Sequence, residues 1–362
     1  MTSFRFGFAS RLLLQSFAAG TALTLSLSTV AFAQPWRAVP GVRIRAVAAA
    51  DTTAEVGDIA SAVQLSGGTI VIADNINYQL HFYSAAGRFL RTIARRGEGP
   101  GEFKSVRWVG ECSRDTVFAY DHMLNRITVF GTDGKVIRSF APAVPQTGYV
   151  RCLLDGTTLY VARSAMSELS SRGVLQVSDK AGKLLYRSPE MLLDDGRPLG
   201  TSMKIAIAPE GFVYGSGDSA RVMMMSLHGE SPHRISAGIA DRAPTDVNRD
   251  AAVEYWATFI KGTEYDYERM RGLFRKLPPV KTLPAYTDVF ADVVTKAIWV
   301  RTSTFGDPST LLERHAMDGT LQGTATLPPG LEIQQIRGDV VLAVAKDSKT
   351  GEQLLVTYRL VK

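Results

Sequence analysis

The chain has 362 residues, of which 45% are hydrophobic and 21% are charged, and its formal net charge at pH 7 is +6. The basic excess is small and scattered rather than gathered in a stripe, so the sequence predicts no nucleic-acid partner. Beyond the first 33 residues no apolar run approaches the roughly 18 residues that a membrane-spanning helix needs.

Residues 1–33 have the pattern of a secretory signal peptide. Arg5 and Arg11 form a basic start, Leu12–Val30 is mostly apolar, and Ala31-Phe32-Ala33 supplies small residues before the expected cleavage at Gln34. The alternative is an uncleaved anchor, which is disfavoured because polar residues and a glycine interrupt the apolar run. We therefore expect a secreted or periplasmic protein, with no transmembrane segment after cleavage.

Short strand patterns follow, and each of five of them leads into a glycine at a nearly constant interval. The first four glycines are spaced by 47, 48 and 47 residues, and the last step of 90 is one more period plus an insert of 43: Gly87, Gly134, Gly182, Gly229 and Gly319. A period of this size, built of strands and turns, is typical of the blades of a β-propeller.

The strand patterns group into six blades, and the last one stops at Lys362 before its fourth strand. The expected blades span about 59–94, 106–140, 148–188, 201–237, 286–327 and 332–360. In the third blade we expect a longer loop, Ser164–Gly173, between the second and third strands. Val42–Val47 alternates apolar and basic residues, as a half-exposed strand does, and would complete the last blade and close the ring.

Blades 1 and 2 carry a motif that resembles the NHL-type repeat. Ala73-Asp74 followed by Asn77–Phe82 recurs as Tyr120-Asp121 followed by Asn125–Phe130, and the connector Gly97–Phe103 fits the same pattern. The resemblance implies an exported bacterial six-bladed propeller. Propellers similar to these include extracellular sensors, protein or nucleic-acid binders, lactone hydrolases and lyases, so the resemblance implies the fold more firmly than an activity.

The sequence therefore predicts an all-β, six-bladed β-propeller in one domain, 34–362, after the signal peptide 1–33. Cys112 and Cys152 are the only cysteines, and strand alignment places both near the inner strands of neighbouring blades. In an exported chain such a pair is expected to form a disulfide, the alternative being two buried thiols.

Residues 241–283 interrupt the β pattern with two predicted helices between blades 4 and 5. The first is capped by Thr245 or Asp246 and ends at Gly262, and the second covers about Tyr265–Leu277. Three roles remain open for this insert: packing on the rim for stability, a lid over the axial channel, or a surface for a partner. The second helix is basic, which favours an acidic partner or simply a solvated face.

Candidate site residues are those expected to line the mouth of the axial channel. Strand alignment gives Arg107, Arg151, Lys204, Asp288 and Gln334 as ligand-binding candidates. The three cations come from consecutive blades and could bind an anionic group, or they could pair with Asp288, Asp292 and Glu332. No catalytic residues can be assigned.

The sequence predicts no cofactor, although calcium remains an option, with Asp288 and Glu332 as weak candidate ligands. The favoured function is a non-enzymatic binding or scaffold module for a protein, peptide or glycan. The alternative is a metal-dependent hydrolase of the lactonase type, or a lyase, acting at the channel mouth. The sequence does not indicate an oligomeric state.

Overall fold

The computed structural model describes residues 34–46, 56–142, 144, 147–166, 170–239, 241–259, 267–347 and 352–362. The predicted signal peptide, 1–33, lies outside these residues. The described chain begins with strand β1 (Gln34–Ala46) and continues through blades 1 and 2. Their strands are β2 (Ser61–Gln64), β3 (Ile70–Asp74), β4 (Gln79–Tyr83) and β5 (Phe89–Ile93), then β6 (Val106–Gly110), β7 (Thr116–Asp121), β8 (Arg126–Gly131) and β9 (Val136–Phe140).

Blade 3 has an additional outer strand. Blades 3 and 4 contain β10 (Thr147–Cys152), β11 (Thr158–Met166), β12 (Ser171–Ser178), β13 (Leu184–Arg187) and β14 (Met191–Asp194), then β15 (Lys204–Ala208), β16 (Gly211–Gly215), β17 (Arg221–Met225) and β18 (His233–Ser236). Both β13 and β14 pair with β12. The loop predicted at Ser164–Gly173 is too long, because β11 and β12 extend into it and pair as far as Met166 and Ser171, while its residues 167–169 lie outside the described residues.

Two helices separate blade 4 from blade 5 in the described chain, α1 (Asp246–Phe259) and α2 (Tyr267–Lys276). The remaining strands are β19 (Asp288–Asp292), β20 (Ala297–Arg301), β21 (Thr310–Ala316), β22 (Leu321–Leu327), β23 (Leu331–Arg337), β24 (Val340–Lys346) and β25 (Gln353–Val361). The insert and its two helices are where the sequence predicted them. Thr245 caps α1, since its Oγ1 accepts from the backbone N–H of Asn248 at 3.2 Å and Asn248 Oδ1 accepts in return from the Thr245 N–H at 3.0 Å.

The N-terminal strand closes the ring, as predicted. β1 pairs antiparallel with β25, with Ile44 opposite Leu355, and so supplies the fourth strand of blade 6. The strand is longer than expected and begins at Gln34 rather than Val42. Its first residues pair in parallel with β22 of blade 5, which joins the last two blades into one eight-stranded sheet. Two free sheet edges are thereby removed.

The aspartates of the repeated motif hold the chain where it enters each inner strand. Asp74 accepts backbone hydrogen bonds from Gly57 and Asp58, before β2, and from the turn after β3. Asp121 does the same for Lys104 and Ser105, before β6. A carboxylate that ends the second strand therefore fixes the start of the first strand in the same blade.

The six inner strands within the described residues, β2, β6, β10, β15, β19 and β23, follow one another around the axis, and β23 returns to β2. We call the end at which these strands begin the mouth. It is formed by Ser61, Val106, Thr147, Lys204, Asp288 and Leu331. The opposite end, formed by Gln64, Gly110, Cys152, Ala208, Asp292 and Arg337, is called the far end.

The apolar core lies in the layers between blades. Phe82 and Phe130 pack into one buried cluster with Phe103, which the connector between blades 1 and 2 supplies. The Phe103 and Phe130 ring centroids are 6.0 Å apart. Near the far end Cys112 and Cys152 form a disulfide with a Cα–Cα distance of 5.2 Å, which joins blades 2 and 3 in the pairing that the sequence predicted.

Candidate functional site

Charged side chains gather at the mouth, on inner strands and their neighbours. Lys204 and Asp288 are the first residues of β15 and β19, and Glu332 is the second residue of β23. Arg301 ends β20 directly opposite Asp288 in the β19–β20 pairing. These positions follow from the antiparallel blade, in which the first strand begins at the end where the second strand stops.

Arg301 lies near the carboxylates of Asp288 and Glu332, but its hydrogen bonds go to a backbone carbonyl and a serine hydroxyl. Its Nη1 donates to the Leu331 carbonyl at 2.9 Å and its Nε to Ser303 Oγ at 3.3 Å. Burial lowers the pKa of this guanidinium, and the nearby charges of Asp288 and Glu332 only partly oppose that effect. The site thus holds a desolvated cation whose surroundings still favour additional negative charge.

Two acidic groups near the mouth, Glu332 and Asp58, have a raised pKa. Burial raises the pKa of Glu332, and repulsion from Asp288 adds to the rise, while Lys346 and a hydrogen bond from Gln334 oppose it. Burial likewise raises the pKa of Asp58, which precedes β2. Burial thus disfavours the charged form both of these two carboxyls and of the Arg301 guanidinium.

The structure does not place the predicted site residues at one level. Arg107 is exposed near the mouth, where its Nε donates to Ser105 Oγ at 3.1 Å. Arg151 belongs to the far half of β10, but its guanidinium folds back over the Tyr149 ring at 3.9 Å from the centroid. Gln334 Oε1 accepts from the Ala62 N–H at 3.3 Å, which ties blade 6 to blade 1.

The predicted cations form no close ion pair within the described chain, but two of them lie near enough to a carboxylate to act on it: Arg107 opposes the rise of the Asp58 pKa, and Lys204 that of Asp194. Arg107, Arg151 and Lys204 have no carboxylate partner there within the 4.0 Å that defines an ion pair. Asp292, one of the expected partners, is at the far end, where it accepts from the backbone of its own turn and from the Gly338 N–H at 2.9 Å. None of the three cations is held in a close ion pair in the described chain, and Arg151 Nη1 donates to the Val150 carbonyl at 2.8 Å.

A cavity of about 300 Å³ opens between blades 3 and 4 at the mouth. Lys204 and Tyr149 contribute from the inner strands, and Trp256 contributes from α1. Tyr149 is held in place because its hydroxyl donates to the Ile205 carbonyl at 2.7 Å. The remaining lining residues are Gly148, Val161, Arg163, Ser171, Leu193, Asp194, Ser202, Met203 and Ile205.

Helix α1 lies at the mouth rather than on the outer rim. The Trp256 indole N–H donates to the Pro198 carbonyl at 3.0 Å, next to the cavity. The ring of Tyr255 lies 4.7 Å from that of Phe305, and burial raises the Tyr255 pKa, with the charge of Glu332 adding to the rise. Of the three roles considered for the insert, this position supports a lid, with α1 as its inner face.

The described residues contain no group of three or more histidine, cysteine, aspartate or glutamate side chains placed to hold a metal ion. Asp288 and Glu332 are close enough to repel each other, but no third such ligand joins them in that part of the chain. Whether calcium binds, the option that the sequence left open beside the prediction of no cofactor, stays untested.

Sequence reasoning missed several mouth residues. Arg301 was overlooked because only first strands were considered, although the last residue of a second strand reaches the same end of the blade. Tyr255 and Trp256 were overlooked because Trp256 fits the apolar face of a helix. Two adjacent aromatic residues within the insert were the available signal, and the structure shows that Tyr255 lies near Glu332 and that Trp256 lines the cavity.

The fold and this site define a six-bladed β-propeller with a helix-covered mouth. Residues 51–190 match the family model DUF5128, described as a 6-bladed beta-propeller. The resemblance drawn from the repeats is thus confirmed at the level of the propeller. No curated protein matches the sequence. No helix in the described chain is both long and apolar enough to cross a membrane.

Solved structures show the same fold at low identity. A protein from Bacteroides fragilis described as exported is 13% identical, with a TM-score of 0.55 and coverage of 91% of this chain and 99% of the other. A member of the DUF4221 family from Bacteroides vulgatus is 9% identical, with a TM-score of 0.52 and coverage of 91% and 99%. Streptogramin B lyase reaches a TM-score of only 0.46 at 9% identity, with coverage of 89% and 98%, and this likeness carries no weight for function.

Proposed function

We propose that the protein is an exported, non-enzymatic binding module that receives an acidic group of a protein, peptide or glycan at the mouth. The observation that carries this proposal is the set of cations there, Arg107, Arg151 and Lys204, without carboxylate partners in the described chain. They come from three consecutive blades, on β6, β10 and β15, and Arg301 of blade 5 lies at the same end of the axis. Cations held in this way bind carboxylates through charge-assisted hydrogen bonds.

Electrostatics supports an acidic ligand over a neutral one. Arg301 is buried and its pKa is lowered, so an added anion would offset part of its desolvation. The raised pKa of Glu332 and Asp58 reflects the cost of burying charge at the mouth, which a charge-assisted contact with a ligand would partly offset. The exported location rests on the signal-peptide pattern of residues 1–33.

The alternative, a metal-dependent hydrolase or lyase, has less support. Its chemistry would use converging ligands around an ion, and Asp288 with Glu332 supplies only two carboxylates. Elemental analysis of the purified protein, with thermal unfolding in chelator and in added calcium, separates the two functions. A stoichiometric ion that raises the unfolding midpoint would favour the enzyme.

The test of binding uses acidic probes with neutral counterparts. Calorimetric titration compares a glutamate decapeptide with a glutamine decapeptide, and oligogalacturonate with a neutral maltooligosaccharide. We expect an acidic probe to bind, and its affinity to fall between low salt and about 150 mM salt. Failure of both acidic probes to bind at low salt would overturn the proposal.

A matched pair of variants locates the binding. Arg107→Gln, Arg151→Gln and Lys204→Gln together remove three charges from the mouth, and Arg88→Gln, Lys135→Gln and Lys183→Gln remove three exposed charges near outer turns. We expect the mouth variant to lose about tenfold or more in affinity, because each charge-assisted bond contributes roughly 1.5–3 kcal/mol. Equal losses in both variants would mean unspecific attraction and would contradict a site at the mouth.

A further inference from the structure

We propose that the cavity between blades 3 and 4 binds an aliphatic group whose own carboxylate lies against Lys204. Such a group occurs at the C-terminal residue of a peptide and in a free aliphatic carboxylic acid. This inference rests on the proposed function, because it names the chemistry of one ligand part bound at that same mouth.

The cavity has an apolar wall. Val161 and Ile205 are buried in the blade core, and Leu193 and Met203 add two further aliphatic surfaces. Trp256 presents an aromatic ring from the helical insert. An aliphatic side chain that enters would leave water for these surfaces, which is favourable by about 25 cal/mol per Å² buried.

The charged part of the cavity suits a single negative charge. Lys204 has no carboxylate within ion-pair distance in the described chain, and Arg163 lines the same cavity. Asp194 opposes them, with Oδ1 accepting from the Gly196 N–H at 2.6 Å. Lys204 and Arg163 both act on the Asp194 carboxyl and oppose the rise of its pKa that burial causes. A ligand carboxylate against Lys204 would add one negative charge beside Asp194, and repulsion from that aspartate disfavours a dianion such as phosphate.

The size limits the ligand to one residue. About 300 Å³ is at the small end of ligand sites, which usually span roughly 300–1,000 Å³. The walls are also preformed. Leu199 packs with Ala252 of α1 and Leu283, and Trp256 is fixed by Pro198, so the insert and the link from β14 to β15 hold each other. A preformed cavity lowers the entropic cost of binding.

One glycine allows the cavity to be filled without disturbing the fold. A Cβ placed on Gly148 would meet no atom closer than 3.7 Å, and Gly148 lines the cavity. Gly148→Val therefore places two methyl groups at the cavity, and Gly148→Ala is a milder variant if the larger side chain lowers stability. Lys204→Met keeps the cavity apolar and removes its cation.

The experiment is calorimetric titration with four probes: acetyl-Gly-Gly-Leu with a free C-terminus, its C-terminal amide, acetyl-Gly-Gly-Gly with a free C-terminus, and octanoate. We expect the free leucine acid to bind about tenfold more tightly than either of the other two peptides. Lys204→Met should abolish the difference between acid and amide. Gly148→Val, or Gly148→Ala, should reduce the difference between leucine and glycine.

The outcomes separate this inference from the proposed function. Octanoate binding without peptide binding, lost in both Lys204→Met and Gly148→Val, would support the cavity and assign it to a free acid. Equal affinity for leucine and glycine, or for acid and amide, would overturn the inference. If the glutamate decapeptide still binds in that case, the proposed function stands alone, and if no acidic probe binds, both fall.

Discussion

The two ends of the propeller axis differ in whether their charged side chains are paired. At the far end Glu111 Oε2 accepts from the Ser66 N–H at 2.8 Å and from Arg337 Nη1 at 3.1 Å, and this contact joins blades 1, 2 and 6. Asp292 bonds across to Gly338 of blade 6. At the mouth, Arg107 and Lys204 have no such carboxylate partner among the described residues.

This difference suggests that one end of the propeller stabilises the fold and that the other end is suited to binding. Each blade contributes an inner strand to both ends, so the strands themselves do not decide which end binds. The hydrogen bonds of Glu111 to Ser66 and Arg337 fix the relative position of three blades, whereas a cation without a carboxylate partner can be kept for a ligand. We interpret the far end as the part that holds the ring closed and the mouth as the part that binds.

Loss of the disulfide near the far end should have the largest effect on stability. Cys112→Ser with Cys152→Ser opens a link between residues 40 apart in sequence, which should lower the free energy of unfolding by about 2–4 kcal/mol. Urea unfolding monitored by tryptophan fluorescence measures the loss. The affinity for the glutamate decapeptide should not change, and a matching loss of affinity would contradict the separation of the two ends.

The Glu111–Arg337 pair offers a finer comparison at the far end. Arg337→Met leaves a carboxylate that is 2% exposed, with Oε1 already lacking a partner, and should cost about 1–3 kcal/mol. Glu111→Gln should cost less, since Arg337 keeps Ser66 as an acceptor and is 20% exposed. The double variant should recover part of the loss. Additive losses in urea unfolding would mean that the pair is not coupled.

At the mouth, replacing a charged side chain is expected to raise the stability of the folded protein rather than to lower it. The Glu332 pKa is raised above its ordinary value of 4.5, so the folded state holds a proton more tightly than the unfolded state. The stabilising contribution of protonated Glu332 is complete when the pH lies below the ordinary pKa, and it is lost as the pH rises through the pKa of Glu332 in the folded state. Glu332→Gln should therefore raise the unfolding midpoint at about pH 8 and change it little at about pH 4.

Thermal unfolding of wild type and Glu332→Gln across this pH range is the measurement. Glu313, whose pKa is lowered by hydrogen bonds from His315 and the Gly238 backbone despite its burial, gives a control of opposite sign. Glu313→Gln should destabilise the protein at about pH 8, and the deficit should shrink as pH falls through the folded pKa. A loss of stability in Glu332→Gln at about pH 8 would mean that the mouth carboxylates are structural.

The smallest effect is expected at the cap of α1. Thr245→Ala removes the hydroxyl that accepts from the Asn248 N–H and should cost roughly 0.5–2 kcal/mol of helix stability. Because α1 carries Trp256, we expect faster proteolysis of the insert and weaker binding of the leucine acid. Limited proteolysis and calorimetry measure both, and an unchanged affinity with a loosened helix would show that α1 is not needed for the cavity.

The repeat made most of the fold predictable. Regular glycines and the aspartates Asp74 and Asp121 are local signals, so blades, closure by β1 and the helical insert could be predicted. The extension of β11 to Met166 and the start of β12 at Ser171 could not be predicted, since the sequence around them has loop-like composition and these residues are strand through pairing with each other. The sequence also does not reveal the position of a side chain along the axis. The Arg151 guanidinium, for example, folds back along its own strand and lies over the Tyr149 ring.

The site depends on contacts between distant segments, which composition does not reveal. Trp256 and Lys204 line one cavity although a whole blade and part of the insert separate them in sequence. Arg301 reaches the mouth by its register against Asp288, and a slip of one residue would turn it away.

The most direct test compares one charge from each end. Lys204→Gln and Arg337→Gln each remove a single cation, the first at the mouth and the second from the far-end pair with Glu111. Titration with the glutamate decapeptide at low salt should show weaker binding to Lys204→Gln and unchanged affinity for Arg337→Gln, although the latter is the less stable protein. Equal affinities for both variants, or a larger loss in Arg337→Gln, would contradict the assignment of binding to the mouth.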